Sequence, residues 1–260
     1  MYQGQENYDR LDLDTLSNVL MDPTNKLENH RSALSVLAKQ PALERTRRLQ
    51  QVVMSFVRHP GRYDGSLMEE GVNLLATDPD PDATLSLIEL LPEVAGTALP
   101  GNTPLNEEFR EYFYAALLTR QNDQDLDVWG DMLPQFSAMQ LAAIVVDPQA
   151  EPDVEAIDPL PLLDRCPEPE RTRALFTVIE GIVHHRGNPQ HLQTAVKLLK
   201  NSYNDSAKAA GVERLAAQWE SARKAGQKSA VGVLEKILGL LDTQPRTPPE
   251  RLMGKRPWAP

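Results

Sequence analysis

Apolar residues recur along most of the chain at intervals of three and four, the period of an amphipathic helix rather than the alternation of a strand. Leu13, Leu16, Val19 and Leu20 predict a helix over 12–22, and Leu27, Ala33, Leu34 and Leu37 one over 25–40. Pro41 sits where a first helical turn tolerates it, with Glu44 near the positive end of that helix. Leu49, Val52, Val53, Phe56 and Val57 form its core stripe, and His59-Pro60-Gly61 ends it. Ser66-Leu67-Met68-Glu69 reads as a capping box opening a helix to residue 77, and Asp80-Pro81-Asp82 opens the next, to residue 94.

A loop rich in Gly, Pro and Thr over 96–104 leads to helices expected over 105–120, 125–133 and 137–146. The last of these starts from a second box, Ser137-Ala138-Met139-Gln140. Its Ile144-Val145-Val146 end is the one strand-like run, and a single strand has no partner, so it reads as helix. Residues 147–170 hold six prolines and eight acids and predict an irregular connection with one helical turn at Leu160 to Asp164. Helices resume over 169–186, 189–203, 205–224 and 229–242.

The pattern is that of an all-α protein of about twelve helices. They group in pairs at 22–61, 64–97, 104–134, 137–165, 168–203 and 205–242, the period of a helix-pair α-solenoid. A compact multi-helix bundle is the alternative packing. Asn25-x4-His30-Arg31, followed by Ala33, Leu34 and Leu37, resembles the Asp-x4-Val-Arg second helix of a HEAT repeat. The resemblance covers one repeat. It implies a HEAT-like or irregular α-solenoid and, by analogy of fold, stacked helix pairs that present a surface to a partner protein. The expected organisation is one helical-repeat domain over 1–242, with a subdivision possible at 147–170. An extended tail over 243–260, with five prolines and four basic residues, follows it.

Composition agrees: 36 Leu and 25 Ala against 6 Ile favour helix. The single cysteine, Cys166, removes an intrachain disulfide and any Cys-cluster metal site. The longest apolar run, Leu141 to Val146, falls far short of the roughly 20 residues of a membrane span. The first residues carry no basic or apolar leader, so the cytosol is the default expectation, leaving open a signal or anchor removed ahead of residue 1.

Charge is distributed unevenly within the net −10. Residues 63–170 carry three Lys/Arg against 23 Asp/Glu, whereas residues 196–260 carry twelve against six. An acidic middle repels phosphates, so nucleic acid is not expected as the main ligand. A basic protein segment is the natural complement, with a merely solvated acidic face as the plainer reading.

Motifs for phosphate binding, dinucleotide binding, serine hydrolysis and zinc proteolysis are missing from the sequence, and no glutamate has a histidine three residues later. No cofactor is expected. Glu180 and His184, one helical turn apart, with His185 and His191 nearby, form the best metal-like group. The apolar face of their helix is Leu175, Val178, Ile179 and Ile182, which puts Glu180 and His184 on the opposite side as a solvated pair. Cys166 lies among Asp164, Glu168 and Glu170, which oppose thiolate formation.

Two segments carry the candidate partner contacts. Over 107–114, Phe109, Tyr112 and Phe113 make one apolar face and Tyr114 lies nearly opposite. Such a helix is buried between layers, or it offers Tyr114 as an anchor ringed by Glu107, Glu108 and Glu111. In the tail, Arg251, Lys255 and Arg256 surround Leu252, Met253 and Trp258, the composition of a docking peptide expected to bind its own chain, a second copy or a separate partner. The sequence thus leads to a non-enzymatic interaction module, an adaptor, scaffold or assembly factor. The alternative is a helical hydrolase or metal-dependent enzyme using Glu180, His184 and His185.

Overall fold

A computed structural model describes residues 8–99, 101–124, 133–147, 149–150, 159–185, 188–202 and 204–241. The described residues form twelve α-helices and no strand. The chain divides into two compact units: Met1–Ala98 with Asn102–Met132, and Leu99–Gly101 with Leu133–Pro260. The division falls ahead of the proline-rich segment at 147–170.

The first unit contains α1 (Leu13–Met21), α2 (Leu27–Leu37), α3 (Ala42–Arg58), α4 (Gly65–Ala76), α5 (Asp82–Gly96) and α6 (Glu107–Gln124). Odd-numbered helices pack in one row, α1 on α3 and α3 on α5, and even-numbered helices in another, α2 on α4 and α4 on α6. Across the rows α1 packs on α2, α3 on α4, and α5 on both α4 and α6. Helix α2 packs chiefly on α1 and α4, unlike the pair expected at 22–61, whereas α4 and α5, the pair expected at 64–97, do pack on each other. The α3 stripe Leu49, Val52, Val53, Phe56 and Val57 is wholly buried, as its period requires.

Capping explains where these helices begin. Asp12 caps α1 by accepting from the Thr15 amide at 2.7 Å. The expected box on Ser66 gives way to a cap two residues earlier: Asp64 accepts from the Ser66 amide at 3.1 Å, and the helix starts at Gly65. The Ser66 hydroxyl then bonds the Asp64 carboxylate and accepts from Arg31 Nη2 at 2.8 Å, tying α2 to α4. Helix α5 runs through Pro92 to Gly96, two residues beyond the expected end.

Buried polar contacts staple the rows together. Arg45 grips the fully buried Asp78 carboxylate, donating from Nη2 to Oδ1 at 2.6 Å and from Nε to Oδ2 at 2.8 Å. Thr46 Oγ1 donates to Asp78 Oδ2 and the Asp80 amide to Oδ1, each at 3.1 Å. Burial pushes this carboxyl up, but Arg45, the Asp80 amide and Thr46 together hold it below the ordinary carboxylate value. Arg120, also buried, donates to Thr84 Oγ1 at 2.9 Å and to the Asp80 carbonyl at 2.6 Å, joining α6 to the start of α5.

The second unit contains a short 3-10 turn (Leu133–Gln135), then α7 (Ala138–Val146), α8 (Pro159–Arg165), α9 (Glu170–His185), α10 (Pro189–Lys200), α11 (Asp205–Lys224) and α12 (Lys228–Leu241). The same pattern of rows recurs: α7 on α9 and α9 on α11, α8 on α10 and α10 on α12, with the pairs α7–α8, α9–α10 and α11–α12. These three helix pairs fall within the spans 137–165, 168–203 and 205–242 read from the sequence. The Ser137–Gln140 box forms in full, with the Ser137 amide donating to Gln140 Oε1 at 2.9 Å. The run Ile144-Val145-Val146 is helical. Helix α8 replaces the expected single turn with seven residues, anchored by the buried Leu160, Leu162 and Leu163. The helix expected over 125–133 lies outside the described residues apart from Leu133, which opens the 3-10 turn.

Helix α9 is the centre of this unit and touches α7, α8, α10, α11 and α12. Its partners approach closely where glycine permits. A Cβ on Gly181 would fall 2.6 Å from Val146 Cγ2, and one on Gly211 of α11 would clash with Cγ, Cδ2 and Cε2 of Phe176. Glu168 ties the start of α9 to the end of α10: its carboxylate accepts from Thr172 Oγ1 at 2.7 Å, Ser202 Oγ at 2.9 Å and Arg171 Nε at 3.0 Å.

Candidate functional site

A cleft of about 810 Å³ in the second unit lies between α9, α11 and the start of α12, with Leu192 of α10 at one side. Glu180 and His184 lie in its wall, one turn apart on α9, facing Gln218 and Ser221 of α11 and Lys228 and Ser229 of α12. Val183, Ala222, Val233 and Leu234 supply apolar lining. The sequence pattern read these two residues as a solvated pair on the polar side of the helix.

It misjudged their environment. Glu180 is not solvated: its side chain is 12% exposed, because α11 lies across the side of α9 that the helical wheel leaves polar. Arg214 of α11 places its Nε 3.2 Å from Glu180 Oε1, yet that buried oxygen accepts no well-formed hydrogen bond. Burial pushes the Glu180 carboxyl above its ordinary value, with Arg214 pulling the other way. His184 is exposed. The side chain of His185 lies outside the described residues. Among the described residues no third His, Cys, Asp or Glu joins Glu180 and His184 in a group able to hold a metal ion. What the cleft offers is a buried acceptor beside one guanidinium, walled by apolar side chains.

A second concavity of about 390 Å³ opens between α10 and α12, sharing Leu192 and Val233 with the first. Its floor is apolar, with Val196 and Ile237 buried and Leu240 52% exposed. Lys197, Lys200 and Lys236 stand on its rims. Periodicity alone did not single out this groove, since its lysines are spread over two helices.

In the first unit, α6 presents Glu107, Glu108 and Glu111 to solvent. Tyr114 is buried, 8% exposed and edge-on to Phe113 with ring centroids 5.7 Å apart. It is a core residue, so α6 presents carboxylates rather than an aromatic anchor. Helix α4 packs beside α6 and adds Glu69 and Glu70; burial and the nearby Glu69 charge both raise the Tyr112 hydroxyl. Glu69, Glu70, Glu107 and Glu108 make no ion pair among the described residues. Elsewhere in the unit Asp14 pairs with Arg48, Asp78 with Arg45 and Glu93 with Arg58.

Cys166 is half-buried at the end of α8, where its Sγ donates to the Leu162 carbonyl at 3.6 Å. Burial and Glu170 raise its thiol, opposed by Arg171, so it is a poor nucleophile. Arg251, Leu252, Met253, Lys255, Arg256 and Trp258 lie outside the described residues. No helix of the described residues is long and apolar enough to cross a membrane. No protein-family model, curated protein or solved structure matches this chain.

Proposed function

We propose that this chain is a non-enzymatic protein–protein interaction module, an adaptor, scaffold or assembly factor built from stacked helix pairs. Its docking surface is the acidic face of α4 and α6, and its ligand is a basic, extended segment. The reading rests on Glu69, Glu70, Glu107 and Glu108, carboxylates reaching solvent on two neighbouring helices that make no ion pair among the described residues. Like charges left side by side cost stability, and a cationic ligand recovers that cost. Residues 243–260 of the chain itself have the required chemistry, and a segment of that kind in a separate partner would dock in the same way.

The test removes residues 243–260 and returns them as a labelled peptide, read by fluorescence anisotropy. Binding should weaken with salt, because exposed charges are screened within about 8 Å at physiological ionic strength. Replacing Glu69, Glu107 and Glu108 with Lys should abolish it. Equal binding to that variant would overturn the proposal.

A further inference from the structure

The groove between α10 and α12 carries the opposite sign to the α4–α6 face, and its geometry narrows what fits. Along α12, Val233, Ile237 and Leu240 recur at four and three residues, and Leu192 and Val196 of α10 face them across the groove. Two packed helices displaying apolar positions at these intervals form the trough into which a third helix sets its own ridge. From Val233 to Leu240 the trough runs about 10 Å, at roughly 1.5 Å per residue.

Sign selects the occupant. Lys197, Lys200 and Lys236 make no ion pair among the described residues, and they stand on both rims instead of converging on one point. That spread matches carboxylates along the flanks of a helix better than the single head group of an anionic lipid. The chain's own tail has the wrong sign, since Arg246, Arg251, Lys255 and Arg256 would meet these lysines. A second copy matches poorly as well. Outside this groove, the exposed large apolar side chains among the described residues are Leu85 and Met139, each alone on its helix.

We infer that the α10–α12 groove binds an acidic amphipathic helix of a partner protein, its apolar side chains seated on Val196, Ile237 and Leu240 and its carboxylates on Lys197, Lys200 and Lys236. The inference is independent of the acidic face of the first unit, so the two stand or fall separately.

The test uses the full chain as bait for a library of random 16-residue peptides, with recovered peptides measured by fluorescence anisotropy. The expected consensus is acidic, with apolar residues at i, i+3 or i+4, and i+7. Two surface variants check the site: Leu240→Glu, and the triple Lys197→Glu, Lys200→Glu, Lys236→Glu. All four side chains are exposed, and retained circular dichroism confirms that each variant folds. Each variant should weaken peptide binding by about tenfold or more, the charge variant most strongly at low salt. Three results overturn the inference: a basic or non-periodic consensus, an acidic consensus that binds both variants unchanged, or a dimer of the native chain that Leu240→Glu dissolves. The last would make the groove a self-association face.

Discussion

Replacing Gly181 with alanine sets two known effects against each other. Alanine stabilises the middle of a helix by about 0.5–1 kcal/mol relative to glycine. At Gly181 the new methyl would fall 2.6 Å from Val146 Cγ2 and 3.1 Å from its Cβ. Ordinary carbon contacts lie at about 3.5–4.0 Å, so Val146 would have to retreat by roughly 1 Å. Val146 is 1% exposed within a close-packed interior, and overpacking of this kind costs about 1–3 kcal/mol. Packing wins, for a net loss of about 1–2 kcal/mol, or several degrees in Tm. Gly232 in the middle of α12 is the control, since nothing lies within 4 Å of its added Cβ, and Gly232→Ala should be neutral or slightly stabilising. The assay is urea unfolding of both variants and of Gly181→Ala with Val146→Ala. The double variant should recover about 1 kcal/mol relative to additivity, because removing the valine methyls makes room for the new one. Additive losses, or a Gly181→Ala variant as stable as Gly232→Ala, would refute the close packing of α7 on α9.

Four further outcomes are expected. Asp78→Ala should cost roughly 3 kcal/mol in denaturant unfolding, the lower range for breaking a buried pair, because Arg45 keeps an edge in water. Asp78 and Glu168 are held below the ordinary carboxylate value, so their contribution is present above about pH 4 and is lost as pH falls through the lower folded values. Thermal melts from pH 7 to 3 should show that loss, and Asp78→Asn should shrink it. Glu180 is raised, so its linkage runs the other way: it is most compatible with folding below the ordinary value and becomes costly as pH rises through the raised one, and Glu180→Gln should gain on the native chain between pH 4 and 7. Cys166 should react with iodoacetamide at pH 7 more slowly than a free thiol and gain rate only at alkaline pH.

Periodicity revealed most of the helices because a helix with one buried stripe writes that stripe into its spacing, as Leu49, Val52, Val53, Phe56 and Val57 do in α3. It failed where a helix is covered from several sides. In α9 the wheel identifies Leu175, Val178, Ile179 and Ile182 correctly but cannot count neighbours, and α11 buries the Glu180 that the wheel leaves in water. In α6 the two apolar faces did announce burial between layers, and Phe113 and Tyr114 are both buried on different sides. The start of α4 was displaced because Asp64 and Ser66 are both good caps two residues apart, and sequence alone does not rank them. Helix pairing in the first unit depends on which helices pack on each other, information that spacing within one helix does not contain. The lysine-rimmed groove stayed hidden for the same reason, its residues being divided between α10 and α12.

The central proposal concerns where a basic segment docks, and hydrogen exchange read by mass spectrometry addresses it most directly. The chain truncated after residue 242 is exchanged with and without a saturating peptide of residues 243–260. Protection is predicted on α4 and α6, around Glu69, Glu70, Glu107 and Glu108, and it should fade at high salt. Protection that appears elsewhere and spares α4 and α6, or none at any salt concentration, would contradict the account.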